Sequence, residues 1–298
     1  MKKIILLLGI LIVLSGVVFA DLDDESLMAW YSFDTNVSDD HGTKDGVPIG
    51  VTHLTSGCVL SGCYSFDGND YIDLTDNYNG VYDSFAISLW VKYSSSNQMI
   101  LWSGINNEGP EIMQINGYLR FIYTTGSGNN DLENTGTPNN GMWRHLVAIY
   151  NGTHKAIWID GVLNASTATS GFGLTPATDT EIGKRPGDTI YYIGQMDEVG
   201  FWNRSLTPTE ISQLYNNGNG FSYPFIVDAD GDGVLDEEDL CPNTTTEEPK
   251  EPNIYGCSCK QILDLKPGKN NGELKHGCSK GTINVFTKLI GWARHLFE

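Results

Sequence analysis

Between residues 21 and 224 the chain is written in short apolar runs of period two, and that rhythm excludes most helical architectures. Phe85-Ala-Ile-Ser-Leu-Trp-Val91 puts Phe85, Ile87, Leu89 and Val91 on one face of an extended strand. Tyr118 to Tyr123, Trp143 to Tyr150 and Lys155 to Asp160 repeat the pattern. Asp67-Gly68, Asn151-Gly152 and Asp160-Gly161 stand between such runs, and these dipeptides accept the positive φ angles of tight hairpins. Helix-period segments are nearly absent. The exception is Thr207-Pro-Thr-Glu210, a capping box with proline at the first helical position, which predicts a short helix through about Tyr215. Strands that each bury one face need a second sheet to bury it against, so the expected fold is all-β, an antiparallel two-sheet sandwich.

The individual motifs are more specific. Ala29-Trp-Tyr-Ser-Phe-Asp34 followed by Asp39-Asp-His-Gly42, and Tyr64-Ser-Phe-Asp-Gly68 followed by Tyr71-Ile72, resemble the opening of a laminin-G-like domain. Trp143-Arg-His-Leu-Val-Ala-Ile-Tyr-Asn-Gly152 with Ile157-Trp-Ile-Asp-Gly161 resembles that family's central pair of strands. Ile193-Gly-Gln-Met-Asp-Glu-Val-Gly-Phe-Trp202, running on to Ile211, looks like its closing strand and helix. The resemblance covers nearly all of residues 27–218, in the family's order, and implies a concanavalin A-like jelly roll. Such modules are often glycan-binding, adhesive or accessory parts of secreted proteins. Members often hold a structural calcium where the first and last strands meet. The matching positions here are Asp34, Asp39 (or the backbone near His41-Gly42) and Asp197, and the alternative is that Asp34 and Asp197 cap turns or pair with Arg204.

Beyond the sandwich lies an acidic loop, Asp228-Ala-Asp-Gly-Asp-Gly-Val-Leu-Asp-Glu-Glu-Asp239. Acids at positions 1, 3, 5, 9 and 12, with Gly233 at position 6, match an EF-hand-type calcium loop. Asp228, Asp230 and Asp232 would supply side-chain oxygens and Val234 its carbonyl. Asp236 would bind directly or through water, and Asp239 would close the shell. Phe221 to Val227, with Pro224 inside it, opposes the preceding helix of an EF-hand. With Leu240-Cys-Pro-Asn-Thr244 and Gly256-Cys257 following, the segment instead resembles a single thrombospondin type 3 repeat, whose Asp-rich loops wrap calcium beside bridged cysteines.

Residues 1–20 are expected to be a secretory signal: Lys2-Lys3, an apolar stretch from Ile4 to Leu14, then Val18-Phe-Ala20 as cleavage site. The apolar run is too short to predict a stable membrane span in the mature chain, although retention as an anchor stays open. Export makes the six cysteines a disulfide set with fifteen possible pairings. Spacing favours Cys58–Cys63, Cys241–Cys257 and Cys259–Cys278. The expected layout is therefore a signal (1–20), the jelly roll (21–224), the calcium loop (225–256) and a Cys-linked, partly helical tail (257–298).

A formal charge of −19 repels nucleic acid and anionic surfaces and suits cation binding. Glycosidases of the jelly-roll superfamily place carboxylates on one strand as Glu-x-Asp-x-Glu, and this chain has no such triplet. Glu108 and Glu111 flank Pro110 and would not share a strand face. The chain is thus expected to be no enzyme. Trp30, Trp90, Trp143, Trp158 and Trp202 are expected in the core, and His145 is expected to be structural. Tyr78, Tyr82 and Tyr191-Tyr192 are the better loop positions for a sugar. The expected function is a secreted, calcium-binding recognition or adhesion protein for a polysaccharide or surface glycoprotein. The alternative is a structural envelope protein without soluble ligand.

Overall fold

The computed structural model describes residues 22–74, 83–93, 98–104, 109–116, 118–124, 131–133, 136, 141–169, 179–185 and 189–225. The chain divides into two compact units, Met1–Phe225 and Ile226–Glu298. The Asp228–Asp239 loop, the Cys-linked tail and residues 1–20 all lie outside the described residues.

In chain order the strands begin with β1 (Leu27–Tyr31), β2 (Gly46–Ile49), β3 (Thr52–Leu54), β4 (Cys63–Asp67) and β5 (Tyr71–Leu74). There follow β6 (Phe85–Tyr93), β7 (Gln98–Gly104), β8 (Gly109–Ile115), β9 (Tyr118–Thr124) and β10 (Asp131–Glu133). The last are β11 (Arg144–Tyr150), β12 (His154–Ile159), β13 (Val162–Ala168), β14 (Asp179–Ile182) and β15 (Ile193–Trp202), then helix α1 (Pro208–Tyr215). They form two antiparallel sheets. Sheet A runs β13-β12-β11-β6-β15-β4-β3, with β1 also on β15; sheet B runs β10-β9-β8-β7-β14-β5-β2.

The core lies between the sheets and follows the alternation. Phe85, Ile87, Leu89 and Val91 from β6 meet Ile112 of β8, Leu119 and Phe121 of β9 and Ile182 of β14 in one buried cluster. Hairpin chemistry is as expected at Asp160 (φ 52°) and Gly161 (φ 76°), successive positive angles that suit the twist of the β12–β13 ribbon.

The outer face of sheet A is also covered, which is why every residue of β6 except Lys92 is buried. Ala86, Val147, Ile149 and Trp202 on that face pack with Trp30 and with Leu206, Ile211 and Leu214 of α1 and its lead-in, flanked by Phe221, Tyr223 and Phe225. The helix starts where expected. Thr207 is its N-cap, and its side chain and that of Glu210 complete the capping box. Trp30, Trp90 and Trp202 are buried, whereas Trp143 and Trp158 are only partly so. Trp30 and Trp202 belong to this second layer under α1, not to the space between the sheets.

His145 is structural. It sits on the same covered face, 1% exposed, with its Nε2 2.9 Å from the Ser88 hydroxyl and its ring near Trp90 and Tyr215. Burial lowers its pKa to about 3, so it stays neutral.

Candidate metal centre

The longest strand, β15, has β6 along one edge from Gly194 to Trp202. Two strands share its other edge. β4 pairs with Ile193–Met196, and β1 pairs with residues 199–202, Tyr31 lying opposite Val199. Asp197 and Glu198 fall in the gap between them. The chain leaving β1 at Phe33-Asp34 and the turn entering β4 at Gly62-Cys63 both arrive there.

A strict strand would send Asp197 and Glu198 to opposite faces. Here the register with β6 shifts between Asp197 and Gly200, and Glu198 takes a left-handed backbone, φ 49°. A bulge of this kind re-aims side chains, and a non-glycine residue at such an angle is strained. Both acids end up buried, Asp197 at 0% and Glu198 at 1% exposure.

Their oxygens are only partly served. Asp197 Oδ2 accepts the amide protons of Val59 (2.9 Å) and Leu60 (3.3 Å). Asp34 Oδ1, beside them, accepts from Gly62 N at 3.0 Å. Its carbonyl and that of Phe33 each lie 3.1 Å from His53 Nε2. Asp197 Oδ1 and both carboxylate oxygens of Glu198 are buried without a hydrogen bond. Burial raises the Asp197 carboxyl to about 7, opposed by the two amides and reinforced by the Asp34 charge. Burial, then the charges of Asp197 and Asp34, push Glu198 up to about 10. The Trp30 indole N–H opposes that rise from nearby without reaching any acceptor in good geometry.

Buried, orphaned carboxylate oxygens on adjacent residues are hard donors of the kind calcium takes, and a divalent ion would reverse the local pKa logic. The residues present fit such an ion in donor type. Asp197 and Glu198 would hold it, and it would neutralise their repulsion. Among the described residues no three of His, Cys, Asp and Glu converge as a ready ligand set, so other donors would be backbone oxygens.

The three acids expected at a second calcium do not act together. Asp34 and Asp197 meet at the gap. Asp39 braces the loop after β1: its Oδ1 accepts from Trp30 N (3.1 Å) and His41 N (3.2 Å), and its Oδ2 from Lys44 N (3.1 Å). Glu198 was missed because alternation assigns it to the other face. The available signal was an acidic doublet inside the apolar string Met196 to Trp202. Arg204 bonds Asp24 (2.9 Å) and Glu210 (2.5 Å). The expected Cys58–Cys63 bridge is formed; the other four cysteines lie outside the described residues.

Of the expected sugar-facing tyrosines, Tyr192 is instead a core residue, 0% exposed, with its hydroxyl donating to Gln195 O. Its amide donates to Gly183 O at 2.8 Å and its ring packs edge-on against Phe66. Tyr191 is partly exposed, and Tyr78 and Tyr82 are outside the described residues. On sheet B, Glu111 pairs with Arg185 (3.3 Å) and Glu181 with Lys184 (3.4 Å), and the Lys184 ammonium stands 3.9 Å over the Tyr71 ring. A cleft of about 320 Å³ is lined by Met113, Ile115, Asn116 and Ile190. Among the described residues no helix is long and apolar enough to cross a membrane.

No curated protein matches this chain. Solved structures align with this chain at low identity. Domain 4 of an extracellular arabinanase from Geobacillus stearothermophilus, solved with arabinotriose, aligns at 19% identity and TM-score 0.48, over 63% of this chain and 97% of that one. The binding domain of Paraclostridial Mosquitocidal Protein 1 aligns at 16% identity and TM-score 0.55, over 64% and 52%. A structure of botulinum neurotoxin type C, whose cell entry depends on interaction with two ganglioside molecules, aligns at 19% and 0.53, over 64% and 51%. This chain spans about half the length of those two toxin chains. Residues 66–212 match the laminin G-like family described as the concanavalin A-like lectin/glucanases superfamily, and the two antiparallel sheets they help to build are a concanavalin A-like sandwich.

Proposed function

We propose that the protein is an exported, calcium-dependent recognition module, which binds a polysaccharide or a glycosylated surface protein through loops of its sandwich. The observation that carries the calcium part is the Asp197–Glu198 pair, buried with three oxygens unserved. Desolvated carboxylates without a counter-charge are costly, and an oxygen-seeking dication relieves that cost. The Asp228–Asp239 loop would be a second site, shaping the connector after the sandwich.

Recognition draws support from the fold, which the binding domain of Paraclostridial Mosquitocidal Protein 1 shares, as does a structure of botulinum neurotoxin type C, whose cell entry depends on two ganglioside molecules. Glu111 and Glu181, buried carboxylates on sheet B among the described residues, are held in ion pairs with Arg185 and Lys184, which favours binding over hydrolysis. The test is a polysaccharide and glycan-array screen with calcium and with chelator. Retention of a glycan in calcium and its loss in EDTA is the expected result. Uniform failure to bind would overturn the recognition reading, and release of labelled sugar would replace it with catalysis.

A further inference from the structure

The turn Cys58-Val-Leu-Ser-Gly-Cys63 is pinned at both ends and faces the acidic gap with its backbone. The disulfide brings the Cα atoms of Cys58 and Cys63 to 5.4 Å. Inside that ring, Val59 and Leu60 donate to Asp197 and Gly62 donates to Asp34. Three amide dipoles thus point at two of the acids, and one S–S bond constrains all three. Cys63 is fully buried at the start of β4, while Cys58 is partly exposed. The strand anchors one end of the turn, and the bridge anchors the other.

We propose that the Cys58–Cys63 bridge and a divalent cation at Asp197–Glu198 are thermodynamically coupled: closing the bridge tightens cation binding, and the bound cation protects the bridge from reduction. This rests on the calcium reading of the gap proposed above. An open turn would let the Val59, Leu60 and Gly62 amides leave, so the carboxylates would have to be ordered again when the ion arrives. A closed turn holds them in advance, and pre-organisation raises affinity. Linkage then requires the reverse effect by the same factor. The redox step is thiol–disulfide exchange with a thiol reductant such as glutathione. The Cys58–Cys63 bond breaks, two glutathione sulfurs join as glutathione disulfide, and their protons pass to Cys58 and Cys63.

Two measurements test it, both in the full-length Asp232→Ala protein, so that the connector loop contributes nothing. In the first, calorimetric calcium titration compares the oxidised protein with its Cys58→Ser/Cys63→Ser variant; at least a tenfold weaker Kd is expected in the variant. The second needs no cysteine substitution and stands even if that variant fails to fold. Glutathione redox buffers with calcium or with EDTA are quenched by alkylation, and mass spectrometry counts the Cys58 and Cys63 thiols apart from the other four cysteines. Calcium should make the bridge at least tenfold harder to reduce, a shift of about 30 mV, and Glu198→Gln should erase that shift. A midpoint that calcium leaves unchanged, in protein that still binds it at this gap, overturns the coupling and spares the calcium reading. Absence of any calcium uptake by the oxidised Asp232→Ala protein overturns the reading of the gap itself.

Discussion

Gly62 lies so close to Asp34 that a Cβ placed on it would stand 2.4 Å from the Asp34 carbonyl oxygen. The obstruction is backbone, not the tip of a flexible side chain, so it cannot step aside without moving the turn. Gly62→Ala should push the Cys58–Cys63 turn off the gap, break the Gly62–Asp34 hydrogen bond and cost about 1–3 kcal/mol. Urea unfolding of this variant beside Ser61→Ala, an exposed neighbour expected within about 0.5 kcal/mol of wild type, checks it. Indistinguishable midpoints for the two variants would show that the close approach does not constrain the fold.

Stability of the ion-free protein should fall as pH rises above neutrality. Asp197 at about 7 and Glu198 at about 10 hold protons in the folded state that the unfolded chain releases near 4. Their stabilising effect is therefore complete below the ordinary carboxylate range and is lost as pH climbs through the folded values. His145, lowered to about 3, acts with the opposite sign, costing stability as pH falls below about 6.5. Above pH 7 it is neutral in both states and drops out. Between roughly pH 7 and 9 in EDTA, Glu198 alone should lower stability by at most about 1.4 kcal/mol per pH unit. Saturating calcium or Glu198→Gln should flatten that slope. An equally steep slope in the glutamine variant would place its origin elsewhere.

The sandwich was legible because its signals are local: alternation placed the strands, and Asp160-Gly161 and the Thr207 capping box punctuated them. The second aromatic layer was less so, since a tryptophan in a strand looks the same whether it faces the other sheet or α1. Only the packed helix reveals that Trp30 and Trp202 belong to the outer layer. At the acidic gap, Asp34 and Asp197 could be brought together because one follows the first strand and the other lies within the last. Glu198 could not, because its burial depends on a backbone irregularity that breaks the period. Asp39 is a different case. An aspartate in an Asp-Asp-His-Gly string suits a ligand and a loop brace equally, and only its three amide contacts show the second role.

The closing helix offers a graded test of a buried capping box. The Glu210 amide donates to the Thr207 hydroxyl at 3.3 Å, while the Glu210 carboxylate takes the Thr207 amide at 2.6 Å and Arg204 at 2.5 Å. Thr207→Ala removes one cap and should cost about 1 kcal/mol. Glu210 is 2% exposed, so Glu210→Ala also opens a hole and strips Arg204 of a partner, although Asp24 remains. It should cost about 2–3 kcal/mol. Thermal melts of both variants give the order, and a greater loss from Thr207→Ala would refute it.

If two calcium sites exist, their contributions should separate. The Asp228–Asp239 loop and the Asp197–Glu198 gap lie in different compact units, so removing one should leave the other's response intact. Extracellular calcium modules bind at about 0.1–1 mM, and tenfold excess over such a constant stabilises by about 1.4 kcal/mol per site. Asp232→Ala should abolish the calcium-dependent protease protection of the connector after Phe225 while the sandwich still melts higher in calcium. Glu198→Gln should do the reverse. Both together should leave no calcium response at all. The decisive comparison is the connector in Asp232→Ala: cleavage there that calcium still slows as it does in wild type would mean the loop's oxygens bind no ion. In that case the acidic run is a solvated linker, and any calcium dependence of recognition belongs to the sandwich alone.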